Sequence, residues 1–256
     1  MKQLYRRLAI GTALKSGLFI KNSVGKISNV HYKGRDNIVT DIDKKAEDII
    51  INEINSAFPD HSVVSEERKP KLGLSPYKWV IDPIDGTTNF AHAFPFFCVS
   101  IALEYSGKVI LGVVYDPMRK ELFYAENGKG AYLNNKRIGI SKTKRLSDSF
   151  LATGFSYGPK RKDKNIKNFK NFLTRTMAIR RAGSAALDLC YVACGRFDGF
   201  WEMDLHPWDS AAASLIVTEA NGLVTKFDGS CFTPYDKEIL ASNGFVHTQM
   251  VKILSR

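Results

Sequence analysis

Apolar residues recur at helical spacing at Leu4, Leu8, Gly11, Leu14 and Leu18, which predicts an opening amphipathic helix packed by that stripe. A second helix is predicted from Asp43, with Ala46, Ile49, Ile50, Ile54, Ala57 and Phe58 on one face. Asp41 or Asp43 opens it and Pro59 stops it. Between the two, residues 25–37 are polar, basic and broken by glycine, the pattern of an exposed loop. The period then changes. Ser62 to Ser65 predicts a short strand that delivers Glu66 and Glu67, and Trp79-Val80-Ile81 predicts a buried strand ending at Asp82. Phe97 to Tyr105 and Lys108 to Tyr115 form a predicted hairpin turning at Ser106-Gly107. Glu121 to Ala125 and Gly130 to Leu133 extend this mostly antiparallel sheet, with Asn134-Asn135 as the next turn.

From Ser149 onward short strands and helices alternate. The strands are Ser149 to Thr153, Ala178 to Arg181, Phe197 to Met203 and Ile239 to Ala241. A basic helix is expected near Asn165 to Arg175, and another after the cap residue Ser184, carrying Leu187, Leu189, Val192 and Ala193. Pro207 suits a first helical turn, so Asp209 would start a helix that runs to Glu219 or Ala220 and closes at Asn221-Gly222. A short helix ends the chain. With no repeat and no long linker, one α+β unit is expected over 1–256, in halves of about 1–145 and 146–256 with the site at their junction.

Composition narrows the class. At 44% hydrophobic residues the chain is globular, and no apolar run approaches the roughly 20 residues that span a bilayer. Lys2, Arg6 and Arg7 before Leu8-Ala9-Ile10 mimic a signal peptide, but Lys15 interrupts the run, so a cytoplasmic protein is expected. Cys98, Cys190, Cys194 and Cys231 show neither a disulfide framework nor C-x-x-C metal spacing. The formal charge of +11 invites a nucleic-acid reading. Its densest stretches, Lys142 to Arg145 and Lys160 to Lys170, carry no such motif, and a lysine-rich surface accounts for them equally.

The chemistry gathers where the buried run meets Asp82-Pro83-Ile84-Asp85-Gly86-Thr87-Thr88-Asn89-Phe90. Pro83 stiffens the turn and brings two carboxylates into one small volume, with Ile84 as its anchor. Like charges that close repel unless a cation lies between them, and hard divalent ions favour oxygen ligands. Gly86-Thr87-Thr88 reads as a turn into a helix whose unpaired N–H groups favour an anion. Plain helix capping is the bland alternative for an isolated D-x-x-D-G.

That signature resembles the inositol monophosphatases, a group of Mg²⁺-dependent, lithium-sensitive phosphatases. Trp208-Asp209-Ser210-Ala211-Ala212-Ala213 and Glu219-Ala220-Asn221-Gly222 resemble their second signature, and the likeness covers nearly the full length. The resemblance implies a layered α-β-α-β-α sandwich, a homodimer, and two or three Mg²⁺ held by Glu66, Asp82, Asp85, Asp209 and the Ile84 carbonyl. Asp43 and Thr87 would orient the attacking water, while Gly86, Thr87 and Lys33 would meet the phosphate. Gly183, Ser184, Ala185 and Glu202 would face the substrate's alcohol. Inositol 1-phosphate is the implied substrate, with fructose 1,6-bisphosphate and histidinol phosphate as alternatives. Arg181 to Leu189 and Arg196-Phe197-Asp198-Gly199 also resemble a bacterial branch that includes an RNA-polymerase-associated factor for ribosomal RNA synthesis.

Overall fold

The structure, a computed structural model, describes residues 2–26, 30–32, 38–155 and 159–255. The first helix, α1 (Lys2–Ser23), buries Tyr5, Ala9, Thr12, Ala13, Ser16 and Ile20, whereas Leu4, Leu14 and Leu18 are exposed. The period was legible but the face is the other one. Small side chains at Ala9, Ala13 and Ser16 let α1 approach its neighbours closely, a reason that leucine spacing does not carry. Two short strands, β1 (Val30–Tyr32) and β2 (Ile38–Thr40), pair antiparallel, so part of the expected loop is a ribbon. Residues 27–29 and 33–37 of that loop, Lys33 included, lie outside the described residues.

Thr40 is the true cap of α2 (Asp41–Ala57). Its side chain accepts from the N–H groups of Ile42 and Asp43, and its own backbone N–H donates to the Asp43 carboxylate at 2.8 Å. This capping box makes Asp43 the third helical residue and not the first.

Seven strands follow chain order in one sheet: β3 (Ser62–Ser65), β4 (Tyr77–Asp85), β5 (Cys98–Tyr105), β6 (Lys108–Asp116), β7 (Glu121–Glu126), β8 (Ala131–Leu133) and β9 (Lys136–Arg137). β3 runs parallel to β4 and the other pairs are antiparallel. The strand expected to end at Asp82 continues to Asp85, with an irregular ladder between Asp82 and Asp85. Pro83 has no N–H to give that ladder, and the irregularity re-aims the two aspartates. A short helix, α3 (Thr87–Ala91), follows at once.

The second sheet orders β11 (Ala178–Arg180), β10 (Phe150–Thr153), β12 (Gly199–Met203), β14 (Glu238–Ser242) and β13 (Leu223–Thr225). β10 is parallel to both of its neighbours, and β14 is antiparallel to both of its own. Four further helices complete the described residues: α4 (Pro159–Leu173), α5 (Ala185–Ala193), α6 (Pro207–Glu219) and α7 (His247–Leu254).

Three cores separate five layers. Ile50 and Ile54 of α2 meet Trp79, Ile81, Ile101 and Val113 on one face of the large sheet. On its other face Val80, Ala102 and Val114 meet α5 and α6, which in turn cover Ala152, Phe200 and Ala241 of the second sheet. Phe172 of α4 and Met250 of α7 close over Leu151, Trp201 and Leu240. Adjacent residues such as Val80 and Ile81 therefore feed different cores, as the strand's period of two requires. The result is the α-β-α-β-α sandwich.

His61 shows how polar groups are held inside. Its ring stacks between Phe58 at 4.6 Å and Tyr77 at 4.9 Å, and Nδ1 lies 3.1 Å from Trp79 Nε1. Indole only donates, so His61 Nδ1 accepts and the imidazole is neutral. Burial lowers its pKa, as it does that of His247. The unfolded chain then binds more protons near pH 6.5, so this stability is complete above that pH and is lost as pH falls. His61→Phe keeps the stack but orphans the Trp79 N–H, and should cost about 1–3 kcal/mol at pH 7.5 in urea unfolding. Between pH 7.5 and 5.5 the variant should lose less stability than wild type. Equal losses would place the pH sensitivity elsewhere.

Candidate active site

One strand of the large sheet, β4, and one helix from between the sheets, α6, build the acidic centre. Carboxylate oxygens of Asp82, Asp85 and Asp209 lie within 4.8 Å of one another. Asp82 accepts the Ile84 N–H at 2.9 Å, which fixes the turn after Pro83. Asp85 is gripped from the second half of the chain: Oδ2 accepts from Ser184 Oγ at 2.6 Å and from Ala186 N at 2.7 Å, at the start of α5. Asp209, the third residue of α6, accepts the His206 N–H at 2.7 Å. Ser100 of β5 donates to the Trp208 carbonyl at 3.2 Å and ties the start of α6 to the large sheet.

These carboxylates are crowded. Burial raises the pKa of Asp82 well above the ordinary carboxylate value, followed by the charges of Glu66, Asp85 and Asp209. Asp85 is pushed to about 7, first by burial and then by Asp209, against the lowering effect of the Ser184 and Ala186 hydrogen bonds. Such a set remains ionised only with positive charge among it, and its all-oxygen donors suit a hard divalent cation. Glu66 follows directly on β3 and exerts the largest charge effect on Asp82, but stands outside the 4.8 Å group. The Ile84 carbonyl, between Asp82 and Asp85 in the chain, accepts from Thr87 Oγ1 at 3.1 Å.

Thr87 and Asp43 form a second unit. Asp43 is fully buried, with Oδ2 taking the Thr40 N–H and hydroxyl and Oδ1 lying 3.1 Å from Thr87 Oγ1. Burial raises its pKa to about 6, opposed by the Thr40 bonds. Gly86 caps α3 at φ 100°, a left-handed backbone that favours glycine and turns the chain directly from Asp85 into the helix.

The third unit flanks these. Glu202, near the end of β12, is pushed to about 8 by burial and then by Asp209 and Asp85. A Cβ on Gly154 would fall 2.0 Å from Glu202 Oε1, so this glycine leaves the space the carboxylate fills. Asn89 donates to the carbonyls of Phe96 at 2.7 Å and Ala182 at 2.8 Å, holding Gly183-Ser184-Ala185 against the first signature. Within that run Ser184 is buried and its hydroxyl is committed to Asp85 and to capping α5, leaving the half-buried Gly183 as the open member. His92, just past α3, is exposed and stands apart from the acidic group.

Several residues escaped the sequence reading. Thr40 was announced by its T-x-x-D spacing to Asp43, whereas Ser100, Gly154 and Cys98, whose thiol lies 3.8 Å from Asp85 Oδ2, carry no local signal. Asp188 is buried on α5 with Oδ1 lacking a hydrogen-bond partner, and burial, followed by the charge of Glu202, raises its pKa well above the ordinary carboxylate value.

Comparison with known proteins agrees with this geometry. The sequence model described as the inositol monophosphatase family matches residues 1–256. An inositol-1-monophosphatase of Synechocystis is 43% identical over 99% of this chain and 89% of its own length. A Nus factor SuhB of Vibrio cholerae is 42% identical over 92% of this chain and 90% of its own. Among solved structures, the extragenic suppressor protein suhB of Bartonella henselae superposes with a TM-score of 0.95 at 40% identity, covering 99% of both chains. The Thermotoga maritima IMPase gives 0.91 at 38% identity, covering 100% of this chain and 97% of that one. Matched from end to end in sequence and in layered structure, the chain belongs to the inositol monophosphatase family and is a phosphoric monoester hydrolase.

Proposed function

We propose that the chain hydrolyses inositol 1-phosphate to inositol and phosphate with Mg²⁺ as cofactor, as a cytoplasmic homodimer. The observation that carries this reading is the convergence of Asp82, Asp85 and Asp209 beside the Thr87–Asp43 pair in a chain of this family. Asp82, Asp85, Asp209, Glu66 and the Ile84 carbonyl would hold two or three Mg²⁺. When bound, the cation supplies the charge that eases proton loss from water and screens the phosphoryl oxygens and departing alkoxide.

The chain's own groups do the rest. Thr87 shares its single hydroxyl proton between Asp43 and the Ile84 carbonyl, so its oxygen lone pairs face away from both and accept from the attacking water. Asp43 fixes that hydroxyl and is itself locked by Thr40. The N–H groups of Gly86 and Thr87 and the Lys33 ammonium meet the phosphate. Glu202 accepts from the hydroxyls of the leaving alcohol, beside Gly183 and Ala185. Ser184 contributes by steadying Asp85.

A second reading rests on relatives named Nus factor SuhB at 42–43% identity: an association with transcription components that does not use the metal centre. A pull-down of transcription proteins that works equally with Asp82→Asn supports it, and one that Asp82→Asn abolishes does not.

Asp82→Asn, Asp85→Asn and Asp209→Asn should each abolish Mg²⁺-dependent phosphate release from a folded protein. Near-normal turnover in any two at saturating Mg²⁺ overturns the ligand set. Millimolar lithium should inhibit wild type while sodium at equal ionic strength does not; equal inhibition would mean simple screening. At pH 9, above the value of about 8 to which burial pushes Glu202, Glu202→Gln loses a hydrogen bond to a charged group, worth about 1.5–3 kcal/mol, and lowers kcat/KM for inositol 1-phosphate by about ten- to a hundred-fold. p-Nitrophenyl phosphate, which has no alcohol hydroxyls, should be nearly unaffected. Equal loss on both substrates would move Glu202 into the scaffold.

A further inference from the structure

α2 presents two buried carboxylates one turn apart on its inner face, and only Asp43 has a place in the chemistry above. The other is Glu47, fully buried and four residues on. Its Oε1 accepts the backbone N–H of Glu67 at 3.0 Å. Its Oε2 lies 3.2 Å from Arg68 Nε, an ion pair without hydrogen-bond alignment, while Arg68 Nη2 reaches Asp48 on the next position of α2. The Ser65 hydroxyl at the end of β3 acts on the same carboxylate, lowering its pKa against burial. Just past Glu66, the backbone N–H of residue 67 and the guanidinium of residue 68 thus meet one buried side chain.

A buried carboxylate is expensive to keep unless its partners are needed, and a hydrophobic residue of similar size would pack α2 against β4 without that cost. No hydrophobic residue could hold the Glu67 N–H. Glu66 leaves β3 where pairing to β4 has ended at Ser65, so the sheet no longer fixes its direction. Anchoring the next backbone N–H restores it.

We propose that Glu47 is a positioning residue: it sets the direction of the Glu66 side chain and thereby the affinity of the acidic centre for its divalent cation. The inference rests on the metal-site reading given above. Asp43 and Glu47 then make α2 a common ruler, one carboxylate orienting Thr87 and the other, a turn later, placing Glu66.

The test is calorimetric titration of the purified, cation-free full-length protein with Mn²⁺, paired with thermal unfolding without cation. Glu47→Ala should weaken Mn²⁺ binding at least tenfold and raise the Mg²⁺ concentration needed for half-maximal phosphate release by a similar factor, with kcat at saturating Mg²⁺ within about threefold of wild type. Glu47→Gln keeps an oxygen for the Glu67 N–H and should recover most of the affinity. Arg68→Ala, which leaves that bond in place, should bind Mn²⁺ within about threefold of wild type and guards against a Glu47→Ala protein that fails to fold. If Glu47→Ala folds and binds Mn²⁺ as tightly as wild type, or if Glu47→Gln is as weak as Glu47→Ala, the inference is wrong. Should wild type itself bind no cation, the metal-site reading fails first, a result distinguishable from either.

Discussion

Repulsion among buried carboxylates is the constraint on which the other features depend. Asp82 and Asp85 are almost completely buried and Asp209 is half-buried, within 4.8 Å of one another, with Glu66 and Glu202 acting on the same space. Left to themselves these groups would separate or take up protons, which is the direction in which burial drives Asp82 and Asp85. Each is instead held by N–H or O–H donors: Ile84 for Asp82, Ser184 and Ala186 for Asp85, and the His206 N–H for Asp209. The fold holds an unfavourable charge arrangement in place, which suits the proposed binding of a cation and a phosphate there.

That arrangement explains the layering. Asp82 and Asp85 come from the large sheet, Ser184 from the head of α5 and Asp209 from the head of α6, and α5 and α6 are the helices packed between the two sheets. Small residues at Ala211, Ala212 and Ala213 let α6 sit close against the large sheet, so that its third residue reaches Asp85. On the opposite side of that sheet α2 brings Asp43 to Thr87 and Glu47 to the Glu66 turn.

Much of this was readable in the chain. The strand rhythm of the first half, the alternation in the second and both acidic signatures emerged because period-two burial, proline and paired aspartates are local signals. α1 shows where local signals stop. Its leucines mark a helix, but the core-facing side is chosen by how closely Ala9, Ala13 and Ser16 allow neighbours to approach. Asp82 likewise gave itself away beside Pro83, whereas Ser184 read as a pocket residue and is turned inward to Asp85, a pairing across 99 positions that no local pattern encodes. Glu47 carries no local mark that separates it from a helix-surface glutamate, yet it is fully buried.

Charge repulsion is thus built into the native state, where a bound cation would relieve it. Thermal unfolding of wild type and Asp82→Asn at pH 8, each with and without Mg²⁺, tests it most directly, because a ligand that binds only the folded state raises its stability by mass action. Cation-free Asp82→Asn should melt above cation-free wild type, and Mg²⁺ should raise the melting temperature of wild type while leaving the variant almost unmoved. A variant that melts below wild type without cation, together with equal shifts in both proteins on adding Mg²⁺, would contradict the account.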